Sequence, residues 1–162
     1  MMTKDNAEKI KRLKQMVINL GRNPKDYRYD WDAHNPWRRE GPWVYILCSN
    51  NREAIVDWSD FVERKLNTTT WGPLSSDPKK DYPHATILGL EDKGQQLSLH
   101  QAIMGSVADR VIDHINGDHY DCRRSNLRHV TTAQNNQNRH PHLYKRNKTE
   151  RTEYVPLLSY SY

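Results

Sequence analysis

Apolar positions in this chain recur at two spacings, and each predicts a different element. Between Thr3 and Leu20, the residues Ile10, Leu13, Val17 and Leu20 fall three or four apart, which predicts an amphipathic helix stopped by Gly21. Lys4, Lys9, Lys11, Arg12 and Lys14 supply its polar, solvated face and flanks. From Asn23 to Pro42 the pattern breaks. Pro24, Pro36 and Pro42 punctuate a charged, aromatic stretch that reads as an irregular linker or arm.

Strand character follows in Trp43 to Cys48 and Ala54 to Val56, on either side of the turn Ser49-Asn50-Asn51, with a short helix near Ser59 to Leu66. A second hairpin is expected from His84 to Leu88 and Gln95 to Leu97, joined through Asp92-Lys93-Gly94. Ser98 can cap a helix through Leu99, Ile103 and Met104, which Gly105 ends. Val111 to Ile115 then reads as a strand, Asn116-Gly117 as a loop, and Leu127 to Val130 as a returning strand. Thr131 opens a final helix with Gln134 completing a capping box, and Pro141 disfavours helix at His140. The expected fold is α+β. It divides into an N-terminal helix and arm (1–42), a small mixed β module (43–98), a strand-loop-strand-helix core (99–140) and a basic tail (141–162).

Composition limits what this pattern can build. Only 35% of the 162 residues are hydrophobic and the mean hydropathy is -1.03, so a single modest domain, or two modules sharing a limited core, is expected. No apolar run approaches the roughly 18 residues that cross a bilayer, and the amino terminus lacks the apolar stretch of a secretory signal. An intracellular, cytoplasmic protein without a membrane partner is expected. Cys48 and Cys122 stand far apart with no Cys-x-x-Cys pair, which argues against a disulfide framework and an all-cysteine zinc site.

The net charge of +5 is unevenly spread. Between Arg123 and Arg151 eight basic residues face the single Glu150, a local +7 that leaves -2 for the rest. A basic strip of this kind suits a polyanion, because each neutralised phosphate releases condensed counterions. In the arm, Tyr27, Tyr29, Trp31 and Trp37 interleave with Arg28, Arg38 and Arg39. Plugging a small core is the favoured role for these aromatics, ahead of stacking on bases.

The chemistry-bearing stretch runs from Val111 to Asn135. Alternation puts Asp113 and His114 on opposite faces of a regular strand, so both can serve one site only at a strand end. A helix packed across the hairpin brings Asn135 toward Asp113, two oxygen ligands suited to a hard cation such as Mg²⁺, with His114 beside it as a base. His100 and His129 read as packing or surface residues, and His140 and His142, flanking Pro141, are a weak metal signal.

These residues resemble the HNH endonucleases, in particular the phage-type homing endonucleases with a ββα-metal site. The matching words are Asp113-His114-Ile115-Asn116-Gly117-Asp118, Arg123-Arg124-Ser125-Asn126-Leu127-Arg128 and Gln134-Asn135-Asn136-Gln137-Asn138, with twelve residues from His114 to Asn126 and nine more to Asn135. Leu99 to Gly105 is similar to the family's lead-in segment. Ala54 to Phe61, Trp71 and Tyr82 to Ala85 are similar to its small β module. The resemblance implies a metal-dependent endonuclease acting on double-stranded DNA, with His114 as general base. It assigns a single divalent ion, Mg²⁺ or Mn²⁺, to Asp113 and Asn135, with Asn136 as the alternative ligand, and gives Asn126 the bracing of the loop. Arg123, Arg124, Arg128, Asn138 and Arg139 are the expected DNA contacts. The chain departs from the family at Cys122, where asparagine is usual, and at Gln101, where an arginine often follows the histidine. A DNA-binding or packaging accessory that keeps the scaffold without turnover is the alternative.

Overall fold

Thr3 accepts a hydrogen bond from the Asn6 N–H and starts helix α1, Lys4–Asn19, as the apolar spacing predicts. The computed structural model from which these contacts are read describes residues 2–30, 34–74, 76–77, 81–87 and 95–139, apart from the side chains of 86, 87, 95, 138 and 139. The expected Asp92-Lys93-Gly94 turn, Leu88 and the whole basic tail lie outside the described residues. Only Val17 of α1 is fully buried, in a small cluster with Tyr27 and Leu47.

The arm corrects the sequence reading. Residues 37–40, expected to be irregular, form strand β1 (Trp37–Glu40), which pairs antiparallel with β2 (Trp43–Leu47), itself paired with β3 (Glu53–Asp57). The sequence Trp-Arg-Arg-Glu hides this edge strand because its partners are ionic. Arg38 donates to both Glu53 carboxylate oxygens, at 2.6 and 3.0 Å, and stacks on Tyr45, while Trp37 is buried against Phe61. Burial works against the Glu53 carboxylate, but Arg38, Tyr27 and Arg22 outweigh it and hold it below the usual range. The sheet therefore spans the boundary expected at residue 43.

Helix α2 (Trp58–Glu63) follows β3 directly. A second antiparallel sheet joins β4 (Gly72–Pro73), β5 (Pro83–Ile87) and β6 (Gln95–Ser98) in that order. Ser98 then caps α3 (Leu99–Met104) in a full capping box with Gln101. The last unit is the antiparallel hairpin β7 (Val111–His114) and β8 (Leu127–Val130), followed by α4 (Thr132–Arg139), whose first turn carries the reciprocal Thr131–Gln134 bonds.

One apolar core joins both halves, with Trp37, Val44, Ile46, Phe61 and Trp71 packed in the same cluster as Leu99, Ile103, Cys122 and Leu127. Backbone pairing also crosses between them. The Ile55 N–H donates to the Tyr120 carbonyl and the Cys122 N–H to the Ile55 carbonyl, each at 2.8 Å, so the β7–β8 loop runs parallel beside β3. Both cysteines are buried free thiols. Among the described residues, no helix is long and apolar enough to cross a membrane.

Candidate active site

The register of the last hairpin sorts its side chains. Ile112 faces His129 and His114 faces Leu127, while between them Asp113 faces Arg128. Residues opposite one another share a face and successive residues alternate, so His114 and Asp113 leave the hairpin on opposite sides. Helices α3 and α4 both contact β7. The His114 face meets α3: Ile112 packs on the shared core and His129 Nε2 donates to the Met104 carbonyl at 3.2 Å. The face carrying Asp113, Arg128 and Val130 is also buried.

His114 is the last residue of β7, and its carbonyl accepts the Gly117 N–H at 2.9 Å in a turn that needs the positive φ of 79° found at Gly117. Its ring is buried, with Nε2 3.8 Å from the Cys122 sulfur and the His100 ring edge-on at 5.0 Å. His119, half-buried, lies tilted at 5.3 Å. Burial, and then His119, lower the His114 pKa to about 4 against a weaker opposing pull from Asp121. The imidazole is therefore neutral near pH 7, the protonation state a base requires.

Asn126 ties the intervening loop together. Its Nδ2 donates to the Asn116 side chain at 3.0 Å and to the Asp121 carbonyl at 2.9 Å. Its Oδ1 accepts the Asn116 N–H at 3.0 Å, and its own carbonyl accepts the Ile115 N–H at 2.8 Å. The residue that follows His114 is thereby fixed to the residue that precedes β8.

Asp113 is engaged by a partner that sequence reasoning assigned elsewhere. Arg128, expected to touch DNA, is 2% exposed and donates through Nε at 3.0 Å and Nη2 at 2.9 Å to Asp113 Oδ2. Arg128 is thus corrected to a buried counter-charge, because a guanidinium beneath the surface has no reach to a phosphate. Arg123 and Arg124 are also ion-paired. Arg123 grips Asp121 at 2.7 Å, and Arg124 makes two 2.9 Å bonds to Asp60. These two remain partly exposed, but the charges of all three arginines between 123 and 128 are paired within the fold. The side chains of Asn138 and Arg139 lie outside the described residues.

Among the described residues, no group of three or more His, Cys, Asp or Glu side chains is arranged to hold a metal ion. An aspartate and an asparagine form a smaller set, and their oxygens suit a hard cation. Asn135, half-buried in the second turn of α4, stands on the helix that contacts β7. The donor chemistry fits a divalent ion, with the condition that such an ion shares Asp113 with Arg128.

Sequence reasoning missed four rings around His114. Tyr82 and His84 from the start of β5, His100 from α3 and His119 from the loop form a chain of ring contacts 4.2 to 5.8 Å apart that ends on His114. Burial, and then the neighbouring histidines, lower the His100 pKa to about 3. Placement of Ser98 as a helix cap does put His100 in the first turn of α3, but its approach to His114 is tertiary and left no local signal.

No curated protein and no solved structure matches the chain. Residues 104–137 match the family model described as HNH endonuclease, a span that takes in both strands of the hairpin, the Asn126-braced loop, His114 at the strand end and most of α4, so over this segment the chain is similar to the HNH endonucleases.

Proposed function

We propose that the chain is a metal-dependent DNA endonuclease that hydrolyses phosphodiester bonds in duplex DNA, with His114 as general base, Asp113 and Asn135 holding one Mg²⁺ or Mn²⁺, and Asn126 bracing the loop. The observation that supports it best is His114 itself. A neutral imidazole is pinned at a strand end by a glycine turn, packed by the ring of His100, and set against a sulfur. The Cys122 thiol donates to the His119 carbonyl at 3.7 Å, so its sulfur is left to accept the Nε2 proton of His114. That leaves Nδ1 as the lone pair that takes a proton from an attacking water. Cys122, which stands where the family usually has asparagine, thus serves as a weak acceptor for this ring. When bound, the divalent ion supplies Lewis-acid stabilisation of charge on the phosphoryl and leaving oxygens. The finer assignment, a phage-type homing nuclease working in the cytoplasm of a host cell, rests on the resemblance of the three sequence words.

One observation favours a second reading. The buried Asp113–Arg128 pair is complete without a metal, as in a DNA-binding protein that keeps the scaffold and has no turnover. Incubation of supercoiled plasmid with the protein in Mg²⁺ and in EDTA separates the two. The nuclease converts plasmid to nicked or linear form only in Mg²⁺. Retardation of intact plasmid in both conditions identifies the binder and removes the catalytic proposal.

A further inference from the structure

Between the end of α3, the loop 105–110 and the outer part of the β7–β8 hairpin lies a cavity of about 220 Å³. Its polar groups divide into two kinds. Arg110, on the exposed loop, has no carboxylate partner among the described residues, in contrast to Arg123, Arg124 and Arg128. Ser106 is exposed and has no hydrogen-bond partner among them. Gln101 Oε1 accepts from the Ser98 N–H and hydroxyl, which leaves the Gln101 amide N–H groups as donors at the same opening. One cation and two neutral donors therefore line the same cavity.

Two histidines also line the cavity. His129 Nε2 faces the Met104 carbonyl and must carry the proton, so its Nδ1 is a bare lone pair. The Ser98 hydroxyl proton goes to Gln101, so Ser98 Oγ accepts from His100 Nε2 at 3.0 Å, and His100 Nδ1 is bare as well. Both Nδ1 atoms are buried without a hydrogen-bond partner among the described residues, and both residues line the cavity. An unpaired cation and neutral donors lining one cavity suit an anion. The donors at the opening hold the anion, and the two imidazole nitrogens, closed to solvent, take no part.

We propose that this cavity is a subsite for a backbone phosphate of the DNA strand being cut, held by Arg110 with Ser106 and Gln101. The inference rests on the nuclease reading above, since His100 is shared between the cavity and the base His114. A phosphate bound here positions the strand across the hairpin and carries no sequence information. It also supplies the phosphate contact that burial denies to Arg128.

The test uses the full chain carrying His114→Ala, so that duplex stays intact, with and without Arg110→Ala, an exposed loop change that leaves the core untouched. Binding of a short duplex is titrated from 50 to 200 mM salt. Loss of one phosphate contact lowers the salt slope by about 0.9, a change in affinity ratio of roughly three- to fourfold across that range. Replacing single phosphates around the cut by neutral methylphosphonates should weaken binding at one position with Arg110 present and have no effect at that position with Ala. Equal slopes and equal methylphosphonate profiles overturn the subsite while leaving the nuclease reading intact. Absence of duplex binding by either protein overturns both. Inorganic phosphate is the second probe: shifts of the His129 ring signals by free phosphate but not by duplex would assign the cavity to a free anion and overturn the backbone subsite.

Discussion

His100 and His114 are neutral because they are buried, and neutrality has a consequence for stability. Their folded pKa values of about 3 and about 4 lie below the ordinary 6.5, so the unfolded chain binds more protons than the folded one between those values. Stability is therefore complete above pH ~6.5 and is lost as pH falls toward 4 and then 3, with a slope of about 1.4 kcal/mol per pH unit for each proton taken up. His100→Phe removes one of these titrations while keeping a ring against His114. Urea unfolding between pH 4 and 6.5 should show a shallower acid limb for the variant by about one proton, and an unchanged limb would contradict the burial of His100 in its neutral form.

Asp113 makes a second residue-scale case. Removing one member of a buried ion pair strands the other, at a cost of about 3–5 kcal/mol, whereas replacing both by apolar groups of similar size is often near neutral. Asp113→Ala should accordingly lose both stability and cleavage, and by itself says little about the metal. Asp113→Leu with Arg128→Met should regain most of the stability and still fail to cleave. Chemical denaturation and plasmid nicking on the same preparations check this. Cleavage by the stable double variant would remove Asp113 from the site.

At the scale of elements, the loop between β7 and β8 is held from outside by α2. Asp57 at the start of that helix accepts the Arg124 N–H at 2.9 Å, and the 2% exposed Asp60 receives the Arg124 guanidinium and Arg64. Because Arg124 is partly exposed and can rehydrate, Asp60→Ala is expected to cost less than a fully buried pair, about 1–3 kcal/mol. Faster amide hydrogen exchange across 115–126 should accompany the loss, and unchanged exchange there would show that the clamp does not hold the loop. Elements were legible where packing repeats locally: α1, α3 with its capping box, and the β7–β8–α4 unit all follow spacing and caps in the sequence. Strand β1 was not, because its pairing depends on Arg38 reaching Glu53, fifteen residues away, and prolines on either side of it suggested a break. In the site, the spacing of His114, Asn126 and Asn135 was visible, while the fate of Arg128 was not. An arginine in a strand looks like a surface charge until the cross-strand register sets it opposite Asp113.

Over the described part of the basic strip, the fold pairs Arg123, Arg124 and Arg128 each with an aspartate. The sheet β1–β3, helix α2 and the HNH segment share one core and one line of backbone pairing at Ile55, so the small β module is built into the support of the site. The proposed function depends on one imidazole acting as a base. The most direct measurement is the rate of Mg²⁺-dependent plasmid nicking by the full chain and by His114→Ala at neutral pH, with duplex binding and unfolding followed on both. Loss of a positioned general base is worth about 10²–10⁴-fold: nicking should fall by that factor while duplex binding stays close to that of the parent, and the variant, somewhat destabilised by loss of a buried ring, remains folded under the assay conditions. Equal nicking rates in the two proteins would contradict the assignment of His114 and the mechanism built on it.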